Sequence, residues 1–159
     1  LSLKALSLIY LIFFSSLIFE GITTIDIKIY TIFLFSICIS SDMGGLIFGK
    51  IFKGKKLTKI SPNKTISGSV GSFILSLFLV PFFYYIFEYS YNPLFLIILT
   101  TIVSFTCQLG DLFISYLKRK AKVKNTGDLL PGHGGVLDRI DGMLFALPVG
   151  YITLFILQI

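Results

Sequence analysis

A chain of 159 residues with 55% hydrophobic and only 14% charged residues lacks the surface of a soluble domain, where about a quarter of residues are charged. Its mean hydropathy of +0.90 says the same. The net charge of +6 does not make it a nucleic-acid binder, because twelve of the fourteen Lys and Arg fall between Lys50 and Lys64 or between Lys118 and Arg139. Basic residues gathered in two stretches between apolar segments follow the positive-inside rule. They predict an all-α, polytopic membrane bundle of about five transmembrane helices with two basic cytoplasmic loops.

In chain order, the first span is expected over Leu3 to Phe19, long enough to cross a hydrocarbon core of about 30 Å when flanked by residues that reach the interface. No small-x-small exit follows it, so it reads as a span rather than a cleaved leader. A turn over Glu20 to Thr24 leads to a second span, Ile25 to Ser41, whose Asp26 and Lys28 can reach the interface. The first polar loop then runs from Asp42 to Gly71 and carries Lys50, Lys53, Lys55, Lys56, Lys59 and Lys64 against the single acid Asp42. Within it, Ile60-Ser61-Pro62-Asn63-Lys64-Thr65 is a turn-forming run whose hydroxyls and Lys64 suit phosphate oxygens. The glycines of this loop fit neither a P-loop nor a dinucleotide fingerprint. The third span, Ser69 to Tyr89, ends in a tyrosine-rich connection over Glu88 to Asn92. The fourth, Pro93 to Ile114, is interrupted near its end by Gln108, Gly110 and Asp111, and an acid inside a span marks a functional site by default. The fifth runs from Met143 to Ile159, with Pro148 as a kink. Cys38 and Cys107 lie in apolar segments without metal-ligand spacing and read as buried thiols.

The longest polar run, Ser115 to Gly142, joins the last two spans. Lys118, Arg119, Lys120, Lys122 and Lys124 precede the turn Pro131-Gly132-His133-Gly134-Gly135, and Asp138, Arg139 and Asp141 follow it. Carboxylates for a hard cation, cationic side chains for phosphate oxygens and glycines that open the backbone N–H groups suit a magnesium-bound polyphosphate.

These residues carry a resemblance. Ser115, Leu117, Lys118, Arg119, Lys124, Gly127, Leu130, Pro131, His133, Gly134, Gly135, Val136, Asp138, Arg139, Ile140 and Asp141 match the signature of the phosphatidate cytidylyltransferases, or CDP-diacylglycerol synthases. Gln108 to Phe113, Ile60 to Thr65 and Ser41-Asp42 resemble further family elements in the family's order, so the resemblance spans Ser41 to Gly142. It implies one transmembrane catalytic domain over residues 1–159, either a fragment or a compact form shortened at its N-terminal side. Four positions depart from the family pattern: Asn125 for Asp, Ser67 for Glu, Gly142 for Ser and Gly45 for Ala.

The implied reaction joins CTP and phosphatidic acid to give CDP-diacylglycerol and pyrophosphate at the inner cell membrane, with the site facing the cytoplasm. The resemblance assigns Asp111, Asp138 and Asp141 to magnesium, with a monovalent cation as a candidate second ion. Catalysis falls to Asp111, Asp138, Lys118 and Arg119, and substrate binding to Ser61, Lys64, Thr65, Lys124, His133 and Arg139. A phosphate monoester is already a nucleophilic oxyanion, so His133 is expected to shape the turn and donate hydrogen bonds rather than act as base. The expected partners are CTP, phosphatidic acid and the bilayer, with a homodimer as an open option. Two other readings stand beside this one: a CTP-using enzyme acting on a polyprenyl or archaeal-type lipid, and an anion-handling transporter with Asp111 as its coupling site.

Overall fold

Apolar runs of membrane-crossing length decide the architecture. The structure, a computed structural model, describes residues 3–58, 61, 64–88, 91–123, 126, 135 and 137–158. Among the described residues six helices follow one another: α1 (Leu3–Thr23), α2 (Ile25–Phe52), α3 (Ile66–Leu77), α4 (Val80–Ile86), α5 (Pro93–Lys120) and α6 (Leu137–Gln158). Among the described residues, four stretches are long and apolar enough to cross a membrane: Ala5–Thr23, Ile27–Phe52, Ile66–Ile86 and Pro93–Lys120. A shorter apolar stretch, Ile140–Ile156, lies in α6.

α1 runs on through most of the expected Glu20 to Thr24 turn, as far as Thr23, and the later helices differ from the expected spans at four further places, each with a local cause. α2 does not stop at Ser41 but continues to Phe52, where Lys53 adopts a left-handed conformation (φ 41°) and ends it. Gly44, Gly45 and Gly49 are tolerated inside it because they face α3 at very short range: a Cβ on Gly68 would sit 2.7 Å from the Gly45 carbonyl oxygen. Small residues at such a seam let two backbones close on each other, which is how membrane helices associate without a hydrophobic driving force. The third span is two helices rather than one. Pro81 has no N–H for the Leu77 carbonyl and its ring clashes there, so α3 ends at Leu77 and α4 starts afresh at Val80.

α5 runs past Ile114 to Lys120, which places Ser115, Lys118 and Arg119 on a helix instead of in a loop. Lys118, Arg119 and Lys120 in its last turn complement the negative end of the helix dipole. Lys122, at φ 57°, closes it with two bonds: its N–H donates to the Arg119 carbonyl (3.0 Å) and Val123 N–H donates to the Lys118 carbonyl (3.0 Å). α6 starts at Leu137 rather than Met143, so Asp138 and Asp141 lie in its first turns, where carboxylates suit the positive end of the dipole.

α2 is the central helix, packed against α1, α3, α5 and α6. Its buried stripe of Phe33, Leu34, Ile37, Cys38 and Ser41 meets Leu96, Leu99, Thr100, Val103, Ser104 and Cys107 of α5 and Leu144, Ala146 and Leu147 of α6. Away from this core, large apolar side chains such as Leu8, Ile12, Phe78 and Phe155 are exposed, as lipid-facing surfaces require. One end of the bundle is closed by aromatic rings, with Tyr30 stacked on Phe87 (centroids 5.0 Å apart) and Tyr91 on Phe95 (5.6 Å). At the other end the C-termini of α2 and α5 meet the N-termini of α3 and α6, and there the polar residues collect.

Candidate active site

The segment between α2 and α3 folds back on itself. Leu57 N–H donates to the Lys64 carbonyl (2.8 Å) and Ile66 N–H to the Lys55 carbonyl (2.9 Å), around an antiparallel bridge between Lys56 and Thr65. This pairing returns the chain over the end of the bundle. Thr65 then caps α3, its hydroxyl accepting from Gly68 N–H at 3.1 Å. Ser67, where the family carries Glu, contacts the Thr65 hydroxyl (3.1 Å) and accepts from Gly54 N–H (3.2 Å), so here it fastens the fold-back.

Under this fold-back lies a cavity of ≈ 370 Å³. Carboxylates enter it from three helices: Asp42 on α2, Asp111 on α5 and Asp141 on α6. Ser61, Lys64 and Thr65 line it from the fold-back, and Ser41, Ser69, Ser72 and Gln108 supply neutral polar groups. Lys64 forms an ion pair with Asp111. Lys118 Nζ reaches Asp141 at 3.4 Å, and both of these side chains are only 14% exposed, half as much as the Lys64–Asp111 pair at 27% and 28%. Asp141 also accepts from the N–H of Gly142 at 3.0 Å. Asp42 is within electrostatic reach of Asp111, Asp141 and Lys64 and accepts a long contact (3.8 Å) from the Cys107 thiol.

The cavity therefore brings together five of the residues expected from the sequence: Asp111, Asp141, Ser61, Lys64 and Thr65. Lys118 sits beside it and holds Asp141. Arg119 is exposed on the last turn of α5 and is not among the lining residues. Asp138 and Arg139 have their backbones on α6, with side chains outside the described residues, and Lys124, Asn125 and His133 lie outside them entirely. Asp42, Ser69 and Gln108 had no assigned role in the sequence reading. The available signal was spacing: Gln108 and Asp111 are three apart, hence on one helix face, and Asp42 is the only acid in an otherwise apolar and basic stretch.

Among the described residues no group of three or more His, Cys, Asp or Glu side chains closes into a metal cage. Magnesium does not require one, since it keeps several waters and takes one or two carboxylates together with the phosphates of its substrate. Asp111 and Asp141 are hard oxygen donors on adjoining helices that line one cavity, and that donor chemistry fits such an ion.

The cytidylyltransferase family profile matches residues 1–157. Over 122 residues the chain is 43% identical to a phosphatidate cytidylyltransferase of Rickettsia typhi, covering 72% of this chain and 54% of the relative. It is 40% identical over 126 residues to one of Bacillus subtilis (77% and 47%) and 43% identical over 132 residues to one of Staphylococcus saprophyticus (82% and 50%). The chain thus spans about half the length of the curated relatives it matches. The matched residues take in every helix that lines the cavity, and the chain belongs to the cytidylyltransferase family.

Proposed function

We propose that this chain carries the catalytic centre of a phosphatidate cytidylyltransferase, facing the cytoplasm of the inner membrane. A phosphate oxygen of phosphatidic acid attacks the α-phosphorus of CTP. The bond from that phosphorus to the bridging oxygen of the β-phosphate breaks, and CDP-diacylglycerol and pyrophosphate leave. The observation that supports this most directly is the meeting of Asp42, Asp111 and Asp141 with Lys64 in one cavity at the polar end of an apolar bundle. Such a site can hold a polyphosphate while the lipid's tails stay in the hydrocarbon.

Two polyanions must approach each other, so the centre has to lower their repulsion before anything else. Lys64 has its ammonium on Asp111 and can exchange that partner for a phosphate oxygen arriving in the cavity. Ser61 and Thr65, on the same fold-back, offer hydroxyls to the same phosphates. Lys118 keeps the Asp141 carboxylate in place, which makes it a positioning residue in this reading. Asp111 and Asp141 would hold magnesium together with Asp138, the ligand that the family resemblance adds. The chemistry the ion supplies when bound is neutralisation of phosphate charge, including that of the departing pyrophosphate. No protein nucleophile and no strong base are called for.

Membranes from cells expressing the chain, given radiolabelled CTP, should form a labelled liponucleotide with phosphatidic acid and much less with a polyprenyl phosphate. Product only from the polyprenyl phosphate would move the assignment to the other lipid, and no product from either would end the enzymatic reading.

A further inference from the structure

The cavity is graded along α5. Asp111, paired with Lys64, is nearer the polar end, and Gln108 lies three residues further into the bundle, about 4.5 Å along the helix axis. Around Gln108 the lining is neutral apart from Asp42 of α2, whose carboxylate reaches Cys107: Ser41, Ser69 and Ser72 come from α2 and α3, with Leu46 and Leu57 as apolar neighbours in the same cavity. The Gln108 side chain is fixed on one side only. Its carbonyl Oε1 accepts a hydrogen bond from the Ser69 hydroxyl at 2.5 Å, whereas its Nε2 is buried with no hydrogen-bond partner among the described residues. A buried amide donor without an acceptor is costly, and natural proteins keep few of them. Gln108 lines the cavity, and Ser69 fixes its amide through Oε1.

On the proposed function, on which this inference rests, the lipid substrate has the same grading: a charged phosphate, then glycerol esters, then hydrocarbon. The charged groups at Lys64 and Asp111 match the phosphate. A neutral donor one turn deeper matches a neutral acceptor a few bonds away. We propose that Gln108 recognises the ester linkage of the lipid, its Nε2–H donating to an acyl-ester carbonyl oxygen and Ser69 holding the amide in that orientation. The residue would thereby distinguish diacyl lipids from ether-linked and polyprenyl phosphates, which lack that acceptor and leave the donor buried and unpaired.

The test compares dioleoyl phosphatidic acid with its dioleyl ether analogue, equal in length and phosphate, as substrates for the unmodified chain and for Gln108→Met. The unmodified chain should favour the ester by roughly tenfold in kcat/KM, the size of one well-placed hydrogen bond. Gln108→Met should slow the ester about tenfold, leave the ether lipid within about twofold and so erase the preference. Gln108→Glu keeps the length but replaces the donor with an acceptor, and it should erase the preference too even if the Met variant accumulates poorly. Equal losses on both lipids, as from a merely structural role or from contact with cytosine, would overturn the inference. So would an unmodified chain that makes product from both lipids at the same rate. Absence of product from either lipid with the unmodified chain overturns the proposed function and this inference together, which keeps the two failures apart.

Discussion

Asp111 stands in two relations at once, as the ionic partner of Lys64 and as a wall of the cavity it shares with Asp141. Replacing it with Asn keeps size and hydrogen bonding but removes the charge that attracts a hard cation and holds Lys64. Loss of one preorganised electrostatic group commonly lowers the rate about 10²–10³-fold, or about 3–4 kcal/mol. Asp111→Asn and Asp141→Asn should each lose that much liponucleotide synthesis, measured as kcat, with unchanged membrane insertion. Lys53→Ala and Lys55→Ala, on exposed side chains outside the cavity, should stay within about twofold. Near-normal turnover in Asp111→Asn would remove it from the centre. A second expectation separates the two lysines. Lys64→Gln should raise KM for CTP, because Lys64 lines the cavity, whereas Lys118→Gln should act on the response to magnesium through Asp141. At this scale the sequence was informative where charge interrupts apolarity, as at Asp111. It marked Gln108 as a break in an apolar span but did not point to Ser69 or to the direction of the Gln108 amide, which come from neighbours 39 residues apart in the chain meeting across two helices.

Helices, one scale up, were legible as apolar runs and misread at their polar ends. Their boundaries depend on tertiary partners: the glycines of α2 read as a loop until α3 lies against them, and the lysines of α5 read as a loop although they complete its last turn. Pro148 shows how an element defect is absorbed. It stands inside α6 and has no N–H for the Leu144 carbonyl, and that carbonyl instead accepts a hydrogen bond from the Tyr10 hydroxyl of α1. Tyr10→Phe should therefore loosen α1 from α6 and cost about 1 kcal/mol, read as a lower thermal midpoint in detergent with the cavity chemistry intact. The two glycines that replace larger family residues give different expectations. A Cβ on Gly45 would meet the Ser72 hydroxyl at 3.0 Å and the Gly68 carbonyl oxygen at an ordinary 3.9 Å, whereas one on Gly142 would meet the Cys107 sulfur at 2.7 Å and its carbonyl oxygen at 2.9 Å. Gly45→Ala should cost less, since the Ser72 hydroxyl needs to give by only a few tenths of an ångström while keeping its hydrogen bond to the Ser41 carbonyl. Gly142→Ser forces α6 away from α5 beside Asp141 and should cost about 1–3 kcal/mol, as overpacking does. Equal thermal midpoints for the two variants would mean that α5 and α6 do not approach as closely as the structure has them.

For the whole molecule, the decisive property is that both basic stretches reach one end. The basic segments around Lys55 and Lys122 both leave helices at the cavity end, while the connection at Asn92 lies beside the aromatic rings of the opposite end. This segregation was readable in the sequence, because alternating spans with two basic loops admit only one arrangement by the positive-inside rule. What the sequence could not supply was how the ends converge, since that rests on the α2–α3 glycine seam and the fold-back over residues 55–66. The arrangement predicts a labelling pattern in intact cells. Cys38 and Cys107 are buried, so a thiol reagent reports on an introduced cysteine. Lys55→Cys and Lys122→Cys should react only with a membrane-permeant maleimide, and Asn92→Cys should react with an impermeant one as well. All three positions are in or beside turns, so accessibility to water is not what distinguishes them; only the side of the membrane does. Impermeant labelling of Lys55→Cys in sealed cells would place the cavity outside, away from any cellular pool of CTP, and the proposed reaction would then have no nucleotide to work on.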